Sequence, residues 1–547
     1  MENNIELALK DIIWAGLKEA GLDSFCCRED IGLEFAPAPG FGDISSNVCM
    51  RLAKSAKKAP IAIANELAQK TGKALGSSPL KKYISEIKAQ GAGFINFYLA
   101  PVYFWEELQR ILDKKQDFAR SDLGKTEKVM IEFVSANPTG PLSVAHARQA
   151  AVGDALANIM CYLGFDAQKE YYLNDEGNQI NILGNSVKTR LAQLNGEKVE
   201  FPENYYQGDY IVEMAREIKD KKLKVEDFSE YAGNYILEII KQELKDFHVE
   251  FACWFSQKEL RKSGKIEEAF KYLKEKGFLY EQDGALWFKS TQFGDDKDRV
   301  VIKSDGSYTY LAPDIAYHRE KYRRGFKRVI NIWGPDHHGY ISRLKAAVAA
   351  LGQDPETLSV LIVQLASIFR EGKPIEMSTR RGQYITLREV LDEVGVDVSR
   401  FFFMMRRTSS HLNFDLETAK KQTPENPVYY IQYAYARISS ILRQAGLSET
   451  AVSDELSLLK EKEEIDLIRK LWQFAYILKV CLKTLDPYML TVYLQEAAET
   501  FHKFYDCHRV LGTDQALTAA RTSLINATRI VLATGLGLLG VSAPERM

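Results

Sequence analysis

A strand, a turn and a helix in direct succession constrain the fold of this chain more than any other stretch. Residues 129–134 (VMIEFV) form a short apolar run with β-branched members, which predicts a strand. Turn residues at 137–141 (NPTGP) end it, and from Ala145 apolar residues recur at helical spacing until Gly164 supplies a stop. Such a turn favours phosphate binding, because free backbone N–H groups and the helix dipole both face it.

His146 falls in the first turn of that helix, where its ring can reach a phosphate oxygen. The same pattern also describes an ordinary α/β crossover that carries an incidental histidine. The alternation of strand and helix recurs along the chain, which predicts a doubly wound parallel sheet with ligands at the carboxyl ends of its strands. The further strands are predicted at residues 168–173, 306–311, 328–333 and 360–365, with helices from 313 and up to 351.

Eight short segments occur in the order in which one known family carries them. They are GFGDISSN (40–47), GFINFYL (93–99), EFVSANPTGPL (132–142), YYLNDEGNQI (171–180), YLAPDIAYH (310–318), WGPDHHGYISRLKAA (333–347), IQYAYARI (431–438) and the terminal APERM. No single segment is decisive, but together they cover nearly the whole chain. They resemble the arginyl-tRNA synthetases, a family of class I aminoacyl-tRNA synthetases.

The resemblance implies an α/β fold in three parts. Residues 116–420 would form the class I nucleotide-binding core, which is Rossmann-like (HUP-type), with an insertion at about residues 185–295. Residues 1–115 would form an α+β domain that touches the outer corner of the tRNA, and residues 421–547 an all-α anticodon-binding bundle. Helices are predicted at residues 5–20, 47–56 and 61–73, and at 428–446, 463–485, 489–507 and from 516.

Length and composition agree with a multi-domain cytoplasmic protein. A chain of 547 residues exceeds one hydrophobic core and predicts roughly three to four domains. No apolar run approaches the ~20 residues of a membrane helix, and the polar N-terminus MENNIELALKD is no signal peptide. Seven scattered cysteines without a Cys-x-x-Cys pair indicate neither zinc nor a disulfide framework, so we expect a reducing cytoplasm, no membrane and no metal site.

The formal net charge of −2 is unusual for a protein that binds RNA. Binding depends on basic patches of one face more than on the sum of charges. A protein that reads a folded RNA by its shape and bases can do without global positive charge. The charge therefore predicts modest non-specific affinity and does not exclude RNA as a partner.

The resemblance implies a two-step reaction whose partners are ATP, L-arginine and arginine tRNA. The arginine carboxylate attacks the α-phosphate of ATP, which releases pyrophosphate and leaves arginyl-adenylate. A terminal ribose hydroxyl of the tRNA then takes the arginyl group. Such chemistry depends on alignment and on stabilising negative charge, with Mg²⁺ expected as part of the bound nucleotide. The family also implies a monomer.

Five residues match family positions that hold arginine. Glu132 and Asp314 would face the guanidinium, whose planar fork needs placed carboxylates, and Tyr310 would lie alongside it. Ser135 and Asn137 would lie near the α-amino and carboxylate groups. Taken without the resemblance, Glu132 is a surface acid at a strand end and Asp314 is a helix N-cap.

The first family signature is altered in this chain. Ser143 stands where the family has a histidine, and Ala145 where it has a glycine. A lysine that other members carry three residues before this signature is Gly140 here. The resemblance still implies a set of ATP-binding residues, which are Ser143, His146, Gly334, Asp336, His337, Met377 and Ser378.

The second signature is altered as well. Glu376 and Thr379 replace its two lysines, so a cation near the departing pyrophosphate is missing. Arg380 and Arg381 are the nearest cations, and we expect them to act in catalysis together with Ser143 and His146. Contact with solvent or with the acceptor end of the tRNA is the alternative role for the two arginines.

Three residues are candidates for contact with tRNA. Asn47 and Asn96 lie in family-like motifs of the N-terminal part, where capping or turn roles are the alternative. Tyr435 belongs to an aromatic-rich helix of the C-terminal bundle, whose rings can stack on splayed bases. At helical spacing, most of those rings are expected in the core.

Two other functions are compatible with the motifs. A degenerate paralogue would keep the fold and RNA binding without catalysis, which the altered signatures allow. A different nucleotidyl transferase would use the same phosphate chemistry on a small molecule. The long helical C-terminal part argues against that second alternative, because a small substrate would not need it.

Overall fold

The computed structural model describes residues 5–36, 39–375, 384–446 and 455–547. The chain divides into two compact units. The first comprises Met1–Phe118, Leu442–Gln473 and Thr500–Ile530, and the second comprises Ala119–Ile441, Phe474–Glu499 and Val531–Met547. The boundary after Phe118 lies close to the predicted division at 115/116. The predicted division at 420/421 has no counterpart, because the C-terminal helices contribute to both units. The predicted divisions concern function and stay a prediction.

The N-terminal part of the first unit combines helices with a four-stranded antiparallel sheet of order β1-β2-β4-β3. The three predicted helices and the predicted strand at 93–99 are confirmed here within a few residues. The elements are α1 (Ile5–Glu19), β1 (Glu34–Phe35), β2 (Ile44–Ser46), α2 (Val48–Ala56), α3 (Pro60–Gly76), β3 (Ile84–Gln90), β4 (Phe94–Leu99) and α4 (Pro101–Lys114).

The second unit begins with the predicted strand, turn and helix and continues through ten further strands. Its elements up to β12 are β5 (Lys128–Glu132), α5 (Val144–Tyr162), β6 (Asp166–Leu173), α6 (Asn178–Leu194), α7 (Asp209–Asp220), α8 (Phe228–Asp246), β7 (Cys253–Ser256), α9 (Gln257–Lys262), α10 (Lys265–Glu275), β8 (Leu279–Gln282), β9 (Ala285–Phe288), β10 (Arg299–Ile302), α11 (Leu311–Arg323), β11 (Arg328–Trp333), α12 (Ile341–Ala350) and β12 (Leu358–Ile362). The rest are β13 (Ala366–Arg370), β14 (Lys373–Pro374), α13 (Leu387–Val394), α14 (Val396–Met404), β15 (Leu412–Asp415) and α15 (Leu416–Lys420).

Five parallel strands form the central sheet, in the order β12-β11-β5-β6-β7. The chain winds outward from β5 in one direction through β6 and β7, and in the other through β11 and β12. The order therefore reverses between β5 and β11, where the register pairs Glu132 with Asn331. Ligands of doubly wound sheets bind at such a reversal, outside the carboxyl ends of the strands.

Five helices follow: α16 (Pro427–Gln444), α17 (Lys462–Trp472), α18 (Phe474–Thr484), α19 (Tyr488–Cys507) and α20 (Gln515–Leu538). The helix predicted at 463–485 is two helices, which meet at Gln473. The periodicity of apolar residues hardly changes across that junction, so the sequence pattern did not reveal the break.

Two predictions about the core are wrong in detail. β7 lies inside the predicted insertion at 185–295, yet it forms the edge of the central sheet beside β6. The strand predicted at 306–311 is absent, because this stretch is a turn that leads into α11. The N–H of Ser307 donates to Asp305, and only an isolated bridge joins Tyr308 to Ile302.

A buried arginine fixes the helix that carries the first signature. Arg148 on α5 is 0% exposed, and its guanidinium donates to the carbonyls of Gln364 (2.7 Å), Arg407 (2.9 Å) and Ser410 (2.9 Å). Burial lowers the pKa of Arg148 to about 10. α5 is thereby tied to the segment between β12 and β13 and to the loop before β15, which sets the orientation of its N-terminus.

None of the helices in the described ranges has the length and apolar character that crossing a membrane requires. No group of three or more His, Cys, Asp or Glu side chains in those ranges could hold a metal ion.

Candidate active site

The chain turns sharply where β5 ends, at the reversal of strand order. Val134 (φ 67°) and Ser135 (φ 42°) both adopt left-handed backbone, which a β-branched residue such as valine rarely does. Such strain persists only where the surrounding structure enforces it, and it concentrates at functional sites. Here it directs the Ser135 hydroxyl back towards Glu132, to whose Oε1 it donates at 3.2 Å.

The helix α5 begins with a contact between the two predicted phosphate-binding residues. Ser143 is its N-cap, and the Ser143 N–H donates to Nδ1 of His146 at 3.2 Å. Burial lowers the pKa of His146 to about 4, against a smaller opposing effect of Asp336. The ring is therefore neutral at pH 7, and because Nδ1 accepts, its hydrogen lies on Nε2. His146 can offer a neutral N–H donor to a phosphate beside the helix N-terminus.

Two tyrosines hold the turn before α5, which contains Gly140. The hydroxyl of Tyr210 donates to the Thr139 carbonyl at 2.8 Å, and that of Tyr384 donates to the Pro141 carbonyl at 3.0 Å. A Cβ on Gly140 would lie 3.1 Å from both hydroxyls. The space into which a longer side chain would extend from Gly140 is therefore already filled.

Asp314 lies in the first turn of α11, at the carboxyl side of the sheet. Its Oδ2 accepts a hydrogen bond of 2.6 Å from the Tyr340 hydroxyl. Burial, and then the charge of Glu132, raise the pKa of Asp314 to about 6, although the Tyr340 bond and Lys321 oppose the shift. Within the described residues, no Lys, Arg or His nitrogen lies within ion-pairing distance of this carboxylate. Tyr310 is the N-cap of α11, so the alternative that Asp314 is a helix N-cap is wrong.

Glu132 is buried at 6% exposure, so the alternative of a surface acid is also wrong. Its Oε2 lies 2.5 Å from the Nζ of Lys321, whose side chain is fully buried. Its Oε1 accepts from Ser135, and the Ser135 oxygen in turn accepts the N–H of Tyr172 at 3.1 Å. Glu132 is therefore already paired with the ammonium group of Lys321. This pairing modifies the prediction that both acids face the guanidinium of arginine.

Sequence reasoning missed a polar cluster that supports these acids. The Lys321 Nζ also lies 3.0 Å from Oδ1 of Asn331, and the Asn331 amide lies 3.0 Å from Nε2 of His318. His318 Nδ1 lies 2.8 Å from the Asp314 carbonyl. The sequence does contain a pattern that indicates this cluster, because Asp314, His318 and Lys321 follow the i, i+4, i+7 spacing of one helix face.

Two other predicted arginine contacts lie differently from expectation. Tyr310 is 81% exposed, since the strand expected to aim it at the substrate is absent. Asn137 donates from its amide to Oε1 of Gln179 at 2.6 Å, so its nitrogen has a partner on α6. The structure therefore gathers Glu132, Ser135 and Asp314 around the reversal point and leaves Tyr310 in solvent.

The turn after β11, on the second side of the reversal, carries the residues that are predicted to contact the nucleotide. It is a 3-10 helix, Pro335–Tyr340, in which the His337 N–H donates to the Gly334 carbonyl. A Cβ on Gly334 would lie 3.0 Å from Oδ1 of Asp336, so this turn is closely packed at its start. Asp336 lies near enough to His146 to oppose the lowering of its pKa, so this turn lies beside the N-terminus of α5.

The remaining predicted residues divide into two groups. Met377, Ser378, Arg380 and Arg381 lie outside the described residues, so their roles stay predictions. The second group comprises the tRNA candidates. Asn47 is the half-buried N-cap of α2, Asn96 is 2% exposed and donates to Gln90, and Tyr435 is 9% exposed on α16.

The five-stranded parallel sheet, with a turn and a helix N-terminus at its reversal point, agrees with the family profiles in placing this protein among the class I aminoacyl-tRNA synthetases. The family profile "tRNA synthetases class I (R), catalytic domain" matches residues 107–421. "Arginyl tRNA synthetase N terminal domain" matches residues 3–99, and "DALR anticodon binding domain" matches residues 431–547. The chain belongs to the arginyl-tRNA synthetase family.

Similar proteins span the full length of the chain. The Arginine--tRNA ligase of Geobacillus kaustophilus is 46% identical over 99% of both chains, and that of Citrifermentans bemidjiense is 47% identical over 92% of this chain and 93% of its own. A putative arginyl-tRNA synthetase structure from Campylobacter jejuni has a TM-score of 0.77 at 35% identity, covering 82% of this chain and all of that one. The Thermus thermophilus arginyl-tRNA synthetase shares the fold over 99% of both chains, with a TM-score of 0.78 at 22% identity.

Proposed function

We propose that this protein joins L-arginine to its cognate tRNA in an ATP-dependent reaction that serves protein synthesis. Full-length curated relatives at 43–47% identity carry the name Arginine--tRNA ligase. The structural observation that carries the proposal is the state of the Asp314 carboxylate. It is a carboxylate without a cationic partner among the described residues, at the ligand-binding end of the sheet, and its single side-chain bond comes from the Tyr340 hydroxyl. A guanidinium would supply the missing charge and hydrogen bonds.

In the first step, the arginine carboxylate attacks the α-phosphate, and the bond from that phosphorus to pyrophosphate breaks. This chain contributes alignment and charge stabilisation. Nε2–H of His146 would hold a phosphate oxygen at the start of α5, aided by the helix dipole. Ser143 orients the His146 ring and so assists catalysis. Gly334, Asp336, His337, Met377 and Ser378 would line the nucleotide site.

The same step needs a cation beside the departing pyrophosphate. Arg380 and Arg381 are proposed for this role from the sequence, where both signature lysines are missing. Mg²⁺ would enter with the nucleotide, as it does in class I synthetases generally, and supply further charge neutralisation. Ser135 and Asn137 are proposed to contact the α-amino and carboxylate ends of arginine.

In the second step, a terminal ribose hydroxyl of the tRNA attacks the arginyl carbonyl, and AMP leaves. Residues 1–115 are proposed to hold the outer corner of the tRNA, with Asn47 and Asn96 in its motifs. Residues 116–420 would perform the chemistry, and residues 421–547 would read the anticodon with aromatic residues that include Tyr435. We further propose that the protein acts as a monomer in the cytoplasm.

An aminoacylation assay with total tRNA and each amino acid in turn tests the proposal. Arginine alone should be attached, and attachment should require ATP. Pyrophosphate exchange should be measured with and without tRNA, because family members generally need tRNA for that step. If the folded protein binds tRNA but forms neither adenylate nor arginyl-tRNA, it is a non-catalytic paralogue and the proposal fails.

A further inference from the structure

Lys321 is a lysine whose side chain is fully buried at the floor of the candidate amino-acid pocket. Its Nζ lies 2.5 Å from Oε2 of Glu132 and 3.0 Å from Oδ1 of Asn331, and 4.1 Å from the centre of the Tyr317 ring. Burying an ammonium group costs several kcal/mol unless it is paired and hydrogen-bonded. A hydrophobic residue would fill this space at a lower free-energy cost, so packing alone does not account for a lysine here.

The number of carboxylates at the site accounts for the positive charge of Lys321. Glu132 and Asp314 each bring one negative charge, and Glu132 uses both of its oxygens, one with Lys321 and one with Ser135. Asp314 has the Tyr340 hydroxyl and no described cation within ion-pairing distance. Two carboxylates and one ammonium leave a net charge of −1, which is located on Asp314.

The other ionisable groups that contact this cluster do not change the sum. The guanidinium of Arg343 lies 4.8 Å from the centre of the Tyr340 ring and forms no ion pair with Asp314 among the described residues. On α11, the pKa of His318 lies well below its ordinary value because the ring is buried, so His318 is neutral. Burial raises the pKa values of Tyr317 and Tyr340 well above the ordinary value, and that of Tyr172 also rises, so these hydroxyls are neutral. Glu170 on β6 is balanced by Arg324, which donates to both of its oxygens.

We propose that Lys321 is a positioning residue that sets the charge selectivity of the amino-acid pocket. By neutralising Glu132, it leaves Asp314 as the one unpaired negative charge, which matches a ligand side chain with one positive charge. Lys321 also holds Glu132 where it accepts from Ser135, so the pairing fixes the shape of the pocket. This inference rests on the proposed function and specifies how its selectivity arises.

Removal of the ammonium tests the idea, because a buried carboxylate without its cation is neutralised by binding a proton. In the unaltered protein, the KM for arginine should depend on one ionisation near pH 6, that of Asp314. In Lys321→Met, a second ionisation, that of Glu132, should enter the pH profile. The KM for arginine should rise about tenfold or more at pH 7, because Glu132 loses the partner that holds it beside Ser135, whereas the KM for ATP should stay within about twofold.

A double variant separates charge balance from mere loss of packing. Glu132→Gln alone leaves Lys321 as a buried unpaired cation and brings the net charge to zero, so arginine binding should weaken. Adding Lys321→Met to Glu132→Gln restores the net charge of −1, so the double variant should bind arginine better than Glu132→Gln and show a single ionisation. This comparison stays informative even if Lys321→Met alone does not fold.

Pyrophosphate exchange with tRNA present, measured from about pH 5.5 to 8.5, gives these profiles. The matched control is Lys169→Met, which removes a cation paired with the buried Asp154 at 2.7 Å. Because Glu170 pairs in register with Glu132, Lys169 faces the opposite side of the sheet, and the variant should leave the arginine profile unchanged. An unchanged profile in folded Lys321→Met, or a double variant no better than Glu132→Gln, would overturn the inference. Failure of the unaltered protein to activate arginine would instead refute the proposed function.

Discussion

Glu243 of α8 accepts a hydrogen bond of 3.1 Å from the backbone N–H of Leu142, one residue before the N-cap of α5. Glu243 is 4% exposed, and burial raises its pKa from 4.5 to about 7, against the opposing effects of the Leu142 bond and Arg388. The helix-rich segment after β6 is therefore joined to the turn before α5 by a buried carboxylate whose pKa is raised to about 7.

Glu243→Gln should make the protein more stable at alkaline pH. Because the folded-state pKa of Glu243 is raised, its favourable contribution is complete below its ordinary value of 4.5 and is lost as pH rises through about 7. Glutamine keeps an acceptor for Leu142 and cannot ionise. The variant should gain up to about 3 kcal/mol of unfolding free energy at pH 8.5 and almost nothing near pH 4.5.

Thermal unfolding midpoints across that pH range measure the effect. Asp246→Asn, three residues further along α8, is the matched control of opposite sign, because the Arg388 bond lowers the pKa of Asp246. Its contribution is present above the ordinary pKa of an aspartate, so the variant should lose stability at neutral and alkaline pH. A Glu243→Gln variant that is less stable than the unaltered protein at pH 8.5 would contradict the assignment.

Asp314→Asn should weaken arginine binding selectively. Of the two acids Glu132 and Asp314, the change removes the one that has no cation among the described residues, and loss of one partner of a buried charge pair costs ~2–5 kcal/mol. The KM for arginine should rise at least ~30-fold while the KM for ATP persists. In the unaltered protein, the KM for arginine should rise as pH falls through about 6, since protonated Asp314 no longer pairs with the guanidinium.

The control for Asp314→Asn is Asp283→Asn, at an exposed turn residue with φ 51°, a conformation that asparagine tolerates. It should leave both KM values unchanged. Equal weakening of ATP and arginine binding by Asp314→Asn would remove Asp314 from the arginine pocket.

His146→Ala should slow adenylate formation without altering the pH profile above pH 5.5. Loss of one preorganised donor to a developing charge costs about 10²–10³ in rate. Since the pKa of His146 is about 4, its ring is already neutral throughout the working range. Pyrophosphate exchange at saturating ATP and tRNA measures the effect, with the exposed His411→Ala as control. A bell-shaped profile that loses an ionisation near pH 6.5 in the variant would mean that His146 acts as a cation.

Arg380→Ala and Arg381→Ala test whether a neighbouring arginine replaces the missing signature lysines. At least one variant should slow adenylate formation about tenfold or more at saturating ATP and tRNA, because a cation lowers the barrier to pyrophosphate departure. Arg388→Ala serves as control, since Arg388 pairs with Asp246 on α8. If neither variant slows the step, the cation comes from elsewhere.

The elements built from near neighbours in sequence could be predicted without coordinates. β5, the turn after it and α5 follow from an apolar run, turn residues and a helical repeat within about 35 residues, and the contact of Ser143 with His146 spans three residues. The order of the motifs indicated the family and the two acids, Glu132 and Asp314, that are expected to face arginine. The predicted strand at 306–311 failed because a turn, fixed by Asp305, outweighed its β-rich composition.

Only the tertiary structure decided which of these groups meet and which charges remain. Lys321 and Glu132 are 189 residues apart, and nothing in the periodicity of either segment indicates that they pair. The same holds for β7, which joins the sheet from within a predicted insertion, and for Arg148, whose acceptors lie more than 200 residues away. The local pattern of strands and helices is set by backbone geometry within a few residues. Long-range pairing is selected by the free-energy cost of burying charges and unpaired backbone groups, and this cost arises only once the chain has packed.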